Sequence, residues 1–218
     1  MADFAEVVRR RRMTRSFDTR PVPPDILIDL VDLASRAPSA GKTQGWHLVV
    51  LEGAGTARFW DITLPPMRRG AFRWKQLLDA PVIAIPLADP RAYVERYAEA
   101  DKRASGLGAG TEAWPAPYWT VDTSMSVMTM LLAAEDVGLG ALFFGIFRGE
   151  RELRRALGIP PMMQILGAVA LGYPAPKALD ATPGSGSTPD TSAAGPGRSA
   201  TRSRRVPDDI IHRGAWRG

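Results

Sequence analysis

Between residues 121 and 137 the chain is apolar on almost every side of a helix: Val121, Met125, Val127, Met128, Met130, Leu131, Leu132, Ala133 and Ala134 leave no continuous polar face. A surface helix carries a polar stripe, so a helix of this kind has to be enclosed, inside a core or against another subunit. The rest of the fold must supply that enclosure. Its methionines read first as filler, since a flexible side chain suits irregular gaps. Gly138-Leu139-Gly140 ends the helix, and Ala141-Leu142-Phe143-Phe144-Gly145-Ile146-Phe147 reads as the strand that follows.

The elements around it follow from periodicity. Phe4, Val7, Val8 and Arg11 have helical spacing over residues 3–12, so a short helix runs into the cluster Arg9-Arg10-Arg11-Arg12. After the turn at Pro21, Pro23 and Pro24, a second helix begins at Asp25; Leu27, Leu30, Val31 and Ala34 mark its buried face and Pro38 stops it. Residues 46–51 read as a strand, 55–79 as helix interrupted at Pro65-Pro66, and 81–87 as a buried strand with proline near its ends. A helix around Tyr93, Val94 and Tyr97 precedes a glycine-rich loop and the aromatic run Trp114–Trp119. Residues 149–157 suit a short surface helix with Glu150 and Arg154 at i, i+4, and Gln164–Leu171 is the last strand. Three segments result: a domain over 1–177, a Gly/Ser/Pro-rich linker over 178–200 too polar to bury anything, and a basic segment over 201–218.

Composition narrows the function classes. The chain of 218 residues is 45% hydrophobic and 23% charged, as an ordinary globular protein is. No apolar window is long enough for a membrane span, and the first twelve residues lack a secretory pattern, so a cytoplasmic location is expected. Zero cysteines exclude a disulfide framework, a thiol nucleophile and a thiolate metal site. There are two histidines, His47 and His212, with no H-E-x-x-H and no G-x-S-x-G, so no metal site or hydrolytic catalytic residue is expected. Gly106-Leu107-Gly108-Ala109-Gly110 lacks the spacing of a dinucleotide loop and follows a helix instead of a strand.

Three features remain. In Arg9-Arg10-Arg11-Arg12-Met13-Thr14-Arg15-Ser16-Phe17, the cations dress a helix C-terminus or cradle a phosphate. Ala37-Pro38-Ser39-Ala40-Gly41-Lys42-Thr43-Gln44-Gly45 is longer than a plain connector needs, and its small residues allow close backbone approach to a ligand. The aromatic set Trp114, Tyr118 and Trp119, beside Phe143 and Phe144, is either core or a slot for a flat molecule. A nucleic-acid-binding role for the net charge of +5 finds no recognised module, and aromatics are not interleaved with the basic residues.

Taken together, R-R-x-x-R-x-F (Arg11 to Phe17), P-V-P (Pro21 to Pro23) and A-P-S-x-x-x-x-Q-x-W (Ala37 to Trp46) resemble the FMN-dependent nitroreductase family. G-L-G-A-L-F-F-G, L-G-I-P and A-L-G-Y-P continue that resemblance in order to residue 174. The resemblance implies an α+β fold, an α/β/α sandwich with a central, mainly antiparallel sheet, forming an intertwined homodimer with FMN at the subunit interface. It implies NAD(P)H as electron donor, and a nitroaromatic, quinone or similar flat acceptor reduced by ping-pong two-electron transfer. Dehalogenating, flavin-fragmenting and ligand-oxidising relatives share such a site and are the alternative chemistry.

The same resemblance assigns residues. Arg11 and Arg12 would meet the FMN phosphate and ribityl side, with Met13 where a serine is usual; Arg15 would meet the N1/C2=O edge. Pro38, Ser39, Ala40, Lys42 and Gln44 would lie along the cofactor of the other subunit, with Lys42 replacing the usual asparagine. Phe143, Phe144 and Gly145 would cover one flavin face, where relatives often carry proline and an acid. Arg204 or Arg205 would return to the phosphate, and Trp114, Tyr118 and Trp119 would bind substrate.

Overall fold

The computed structural model describes residues 3–176 and 203–216. The chain divides into two compact units, Met1–Pro176 and Lys177–Gly218. The linker expected over 178–200 lies outside the described residues.

In the first unit, Phe4–Arg10 forms helix α1, capped by Asp3, whose carboxylate accepts from the Ala5 amide. It is shorter than the spacing predicts. The chain leaves the helix at Arg11, so Arg9 and Arg10 are helical whereas Arg11, Arg12 and Arg15 lie on the irregular segment beyond. Pro24–Ala34 forms α2, with proline in its first turn, where no amide is missed. The expected helix over 55–79 is three short pieces: α3 (Ala57–Thr63), α4 (Pro66–Arg69) and a single turn at Lys75–Leu77. Pro65 and Pro66 divide them, as proline must in a helix interior. Pro90–Ala98 is α5, Tyr118–Asp136 is α6 and Glu150–Leu157 is α7.

The sheet comprises β1 (Trp46–Glu52), β2 (Val82–Ala88), β3 (Gly140–Phe144), β4 (Gln164–Ile165) and β5 (Ala168–Gly172). Its order is β1-β2-β5-β3, with β4 beside the end of β2, and every strand pair is antiparallel. The last strand, expected as one run from Gln164 to Leu171, is broken. Opposite the break, Pro86 has no amide to give the ladder and its carbonyl accepts from Leu166, while Gly167 takes φ +145, which suits glycine. The third strand ends at Phe144, three residues short of expectation, and Phe147 is exposed.

Strand β2 is buried along its whole length because helices cover both faces. Its alternate residues divide between two cores, as a period of two requires. Ile83, Ile85 and Leu87 pack with Phe59, Trp60 and Leu153 from α3 and α7. Val82 and Ala84 pack on the other face with Leu30, Val127 and Met130 from α2 and α6. The result is a helix-sheet-helix sandwich.

Helix α6 buries polar side chains together with the apolar Val127, Met130, Leu131 and Ala134. Its buried side includes Asp122, Thr123 and Ser126, while Val121, Met125 and Met128 are 40%, 38% and 40% exposed. No helix among the described residues is long and apolar enough to cross a membrane.

In the second unit the described residues contain one helical turn, Pro207–Asp209, with Val206 and Ile210 exposed. The guanidinium of Arg205 donates to the Asp209 carbonyl, and the His212 ring stacks on Trp216 at 4.1 Å.

Candidate active site

The residues singled out in the sequence fall into two groups. The first is the arginine segment with β3. Leaving α1, the chain runs beside β3: Met13 bridges to Ala141 in parallel fashion, and the Thr14 amide donates to the Ala141 carbonyl at 2.9 Å. Gly140 permits this approach, since a Cβ there would lie 2.7 Å from the Thr14 side chain. Phe17, 1% exposed, then anchors the segment in the core, and the Asp18 amide donates to the Tyr173 carbonyl.

The arginines on this clamped segment have distinct surroundings. Arg12 folds back on α1, one nitrogen donating to the carbonyls of Arg9 (2.6 Å), Arg10 (3.0 Å) and Arg11 (3.1 Å), the use of a cation favoured at a helix C-terminus. Arg15 donates to the Met13 carbonyl at 3.1 Å and lies over the Trp74 ring at 5.5 Å. Arg11 is partly buried, and its Nη1 is fully buried without a hydrogen-bond partner among the described residues. A guanidinium nitrogen in that state is uncommon because desolvation goes uncompensated. Phe143 and Phe144 follow on β3. Phe144 is partly buried, stacked on Trp60 at 5.9 Å and edge-on to Phe59, while Phe143 packs toward the opposite core. A Cβ at Gly145 would lie 3.0 Å from the Phe147 ring.

The second group is the loop after α2 with the aromatic set. Gly41, Lys42 and Gln44 have φ of +60, +55 and +52, so two of three left-handed positions are not glycine. That backbone is held from several sides. The Gln44 amide donates to Ser39 Oγ at 3.0 Å and its side chain to the Ser35 carbonyl at 3.1 Å. Arg96 on α5 donates to the Gly41 carbonyl at 2.9 Å, while its terminal nitrogens pair with Asp101 and hold that carboxyl below its usual range. The Ala40 amide donates to Asp122 Oδ2 at 2.8 Å, and the Tyr93 hydroxyl donates to the same oxygen at 2.8 Å. Burial and the Asp122 carboxylate push the Tyr93 phenol above the ordinary tyrosine range, so it stays a neutral donor.

The aromatic set joins this group. Trp114, 8% exposed, is ringed by Tyr93, Tyr97, Tyr118 and Trp119 at spacings of 4.7 to 6.2 Å, and its indole donates to the Leu107 carbonyl at 3.0 Å. Tyr97 also touches the loop, since a Cβ on Gly41 would meet its ring at 2.8 Å. Tyr118 is 39% exposed at the start of α6. No hydrogen bond or ring contact joins the two groups among the described residues. Arg204 and Arg205 belong to the second unit.

Asp122, Tyr93 and Arg96 were not singled out in the sequence. The available signal was Asp122 itself, an acid followed by twelve uncharged residues, 123–134, in an otherwise apolar helix.

The sequence profile of the nitroreductase family matches residues 8–173. The chain belongs to that family. An NADH dehydrogenase from Thermus thermophilus is 33% identical over 190 residues, covering 79% of this chain and 87% of the relative. A 4-nitrobenzoate reductase from Nocardioides sp. (strain LMS-CY) is 26% identical over 197 residues, covering 78% and 80% respectively. A solved structure of a nitroreductase-type protein from Exiguobacterium sibiricum 255-15, in complex with FMN, superimposes with a TM-score of 0.69 at 19% identity. The superposition covers 100% of this chain and 98% of that one, which places the sandwich in the nitroreductase fold. As a member of the nitroreductase family the chain is an oxidoreductase.

Proposed function

We propose that this nitroreductase-family chain is an FMN-dependent NAD(P)H oxidoreductase that reduces flat aromatic acceptors, nitroaromatics or quinones among them. The observation that carries the cofactor assignment is Arg11 Nη1, a buried cationic donor with no partner among the described residues, on a segment that β3 and Phe17 hold in place. A phosphate would complete its hydrogen bonding, and charge-assisted bonds are the strong ones. Arg11 and Arg12 would hold the phosphate and ribityl side and Arg15 the ring edge. Arg12 is partly committed to the helix end and can offer only its remaining nitrogens.

FMN, when bound, supplies the two-electron redox chemistry. The chain's part is positional. Arg15 would offer a cation to the negative charge that develops on reduction, and the backbone at Gly145 would approach the ring. The loop of residues 38–44 would contribute a wall, and the exposed part of Tyr118 would meet a planar molecule. Asp122 is engaged by the Ala40 amide and the Tyr93 hydroxyl, and the proton would come from solvent. The relatives named for NADH and for 4-nitrobenzoate support the donor and the acceptor class.

Two copies of the chain are part of the same proposal. The loop group and the arginine group are separate within one chain, and the exposed apolar stripe Val121, Met125, Met128 leaves an enclosed helix half uncovered. A partner covering that stripe would bring its own loop to the arginine segment. One slot serving donor and acceptor in turn gives ping-pong kinetics. The test is titration of flavin-stripped protein with FMN, followed by NAD(P)H oxidation assays with nitroaromatic and quinone acceptors. One FMN per chain and acceptor-dependent oxidation are expected; protein that takes up no FMN overturns the reading.

A further inference from the structure

The 38–44 loop has a backbone it would not adopt alone. Lys42 and Gln44 sit in the left-handed region, where a side chain crowds its own carbonyl, and Gly41 beside them shares that conformation. Strain of that kind persists only where the surroundings over-determine it. Local bonds contribute: Ser39 accepts from Gln44, and Thr43 donates to Ala40. These bonds travel with the loop, however, and do not tie it to the body of the protein.

The tie is Asp122. This carboxylate is 5% exposed, lies on α6, and has no cationic partner among the described residues. A buried carboxylate without a cation is costly unless hydrogen bonds replace its water. One oxygen takes both of its recorded bonds, from the Ala40 amide and from the Tyr93 hydroxyl. Tyr93 is itself fully buried on α5, so its hydroxyl cannot follow a moving acceptor. The loop is thus pinned between α5 and α6 at Ala40, the residue just before the left-handed stretch. Arg96 holds the next carbonyl, Gly41, from the exposed side.

We infer that Asp122, oriented by Tyr93, is a positioning residue that clamps the loop of residues 39–44 in its left-handed form and so shapes the cofactor wall in advance of binding. The flavin half of this statement rests on the proposed function above; the clamp itself does not. A loop pre-set by a buried charge loses less freedom when a ligand arrives, and affinity rises accordingly.

The test uses full-length protein with flavin removed, and three substitutions: Asp122→Asn, Asp122→Leu and Tyr93→Phe. Asparagine keeps an acceptor oxygen for the Ala40 amide, leucine keeps the volume but no acceptor, and phenylalanine removes only the orienting donor. Amide exchange is followed by mass spectrometry in the peptide spanning residues 39–44, against the β2 peptide as an internal reference for global opening. FMN affinity is read separately from flavin fluorescence. Asp122→Leu is expected to raise loop exchange about tenfold or more with the β2 peptide unchanged, since local opening is freed without global unfolding. Asp122→Asn should stay near the parent, and Tyr93→Phe should move the same way as Asp122→Leu by less. FMN affinity should fall in the same order. If Asp122→Leu does not fold, Tyr93→Phe against the parent carries the test. Loop exchange unchanged in Tyr93→Phe and in any folded Asp122→Leu protein overturns the clamp. Faster loop exchange with FMN affinity unchanged sustains the clamp and removes the loop from the flavin site.

Discussion

Replacing Arg11 by methionine separates a binding role from a structural one, because the two roles predict opposite signs. Methionine keeps most of the aliphatic stem and removes the guanidinium. In the absence of ligand, Nη1 is buried and unpartnered among the described residues. A buried donor left unsatisfied costs about 1–3 kcal/mol. Only part of that is recovered, since Arg11 as a whole is half-buried and the substitution also removes its other, less buried nitrogens. The flavin-free variant should therefore be as stable as the parent, or more stable by up to about 1 kcal/mol, a rise of roughly 2–4 °C in Tm for a chain of this size.

With ligand the sign reverses. A charge-assisted hydrogen bond contributes about 1.5–3 kcal/mol, and each 1.4 kcal/mol is about tenfold in Kd, so FMN affinity should fall by about 10- to 150-fold. The assay is scanning calorimetry of both proteins with and without FMN, together with a fluorescence titration. The parent's Tm should rise with FMN concentration as mass action requires, and the variant's should rise much less. An apo Tm several degrees lower with unchanged FMN affinity would show that Arg11 is structural and refute the reasoning.

Other outcomes follow from particular contacts. Met125→Glu or Met128→Glu puts a charge on the exposed apolar stripe of α6 and should halve the mass seen by light scattering and release flavin; a monomeric parent that retains FMN would end the two-copy proposal. Gly140→Ala sets a Cβ 2.7 Å from Thr14 and should cost about 1–3 kcal/mol in urea unfolding, with weaker FMN binding as the arginine segment shifts; a neutral effect would mean that the segment yields freely. Double-reciprocal plots against acceptor should give parallel lines, and intersecting ones would rule out a slot shared by donor and acceptor.

Where a segment's own pattern decides its structure, the sequence was enough. The unbroken apolar run in Val82–Ala88 foretold a strand buried on both faces, and the Glu150–Arg154 spacing foretold the 3.0 Å ion pair observed on α7. The small-residue loop stood out because it is longer than a plain turn needs, and the arginine run because it suits either a helix end, where Arg12 is found, or a phosphate. What stayed hidden depends on partners far along the chain. The break after Ile165 comes from Pro86, about eighty positions away in sequence, opposite the strand it interrupts. Lys42 and Gln44 carry no sign of a left-handed backbone, since asparagine and glycine are its usual bearers. Phe144 has the look of a site residue and is also engaged by Trp60, a contact that only the folding of α3 onto the sheet creates.

The apolar helix joins these strands of argument. A run without a polar face was expected to be enclosed, and within one chain it is enclosed on one side only: Val127, Met130, Leu131 and Ala134 face inward together with Asp122, Thr123 and Ser126, while Val121, Met125 and Met128 face out. Each side has its own physical demand. The inward polar atoms need acceptors and donors, and Asp122 finds them in Ala40 and Tyr93, which ties the helix to the loop. The outward apolar atoms need cover, which water does not provide. A partner subunit that covers the stripe therefore presses on the same helix that holds the loop. Shape of the loop and assembly of the pair would then be coupled through α6, and a substitution on the exposed stripe should disturb amide exchange at residues 39–44 even though it touches none of them. Unchanged exchange there in a monomeric Met125→Glu protein would show that the loop is set within the chain alone.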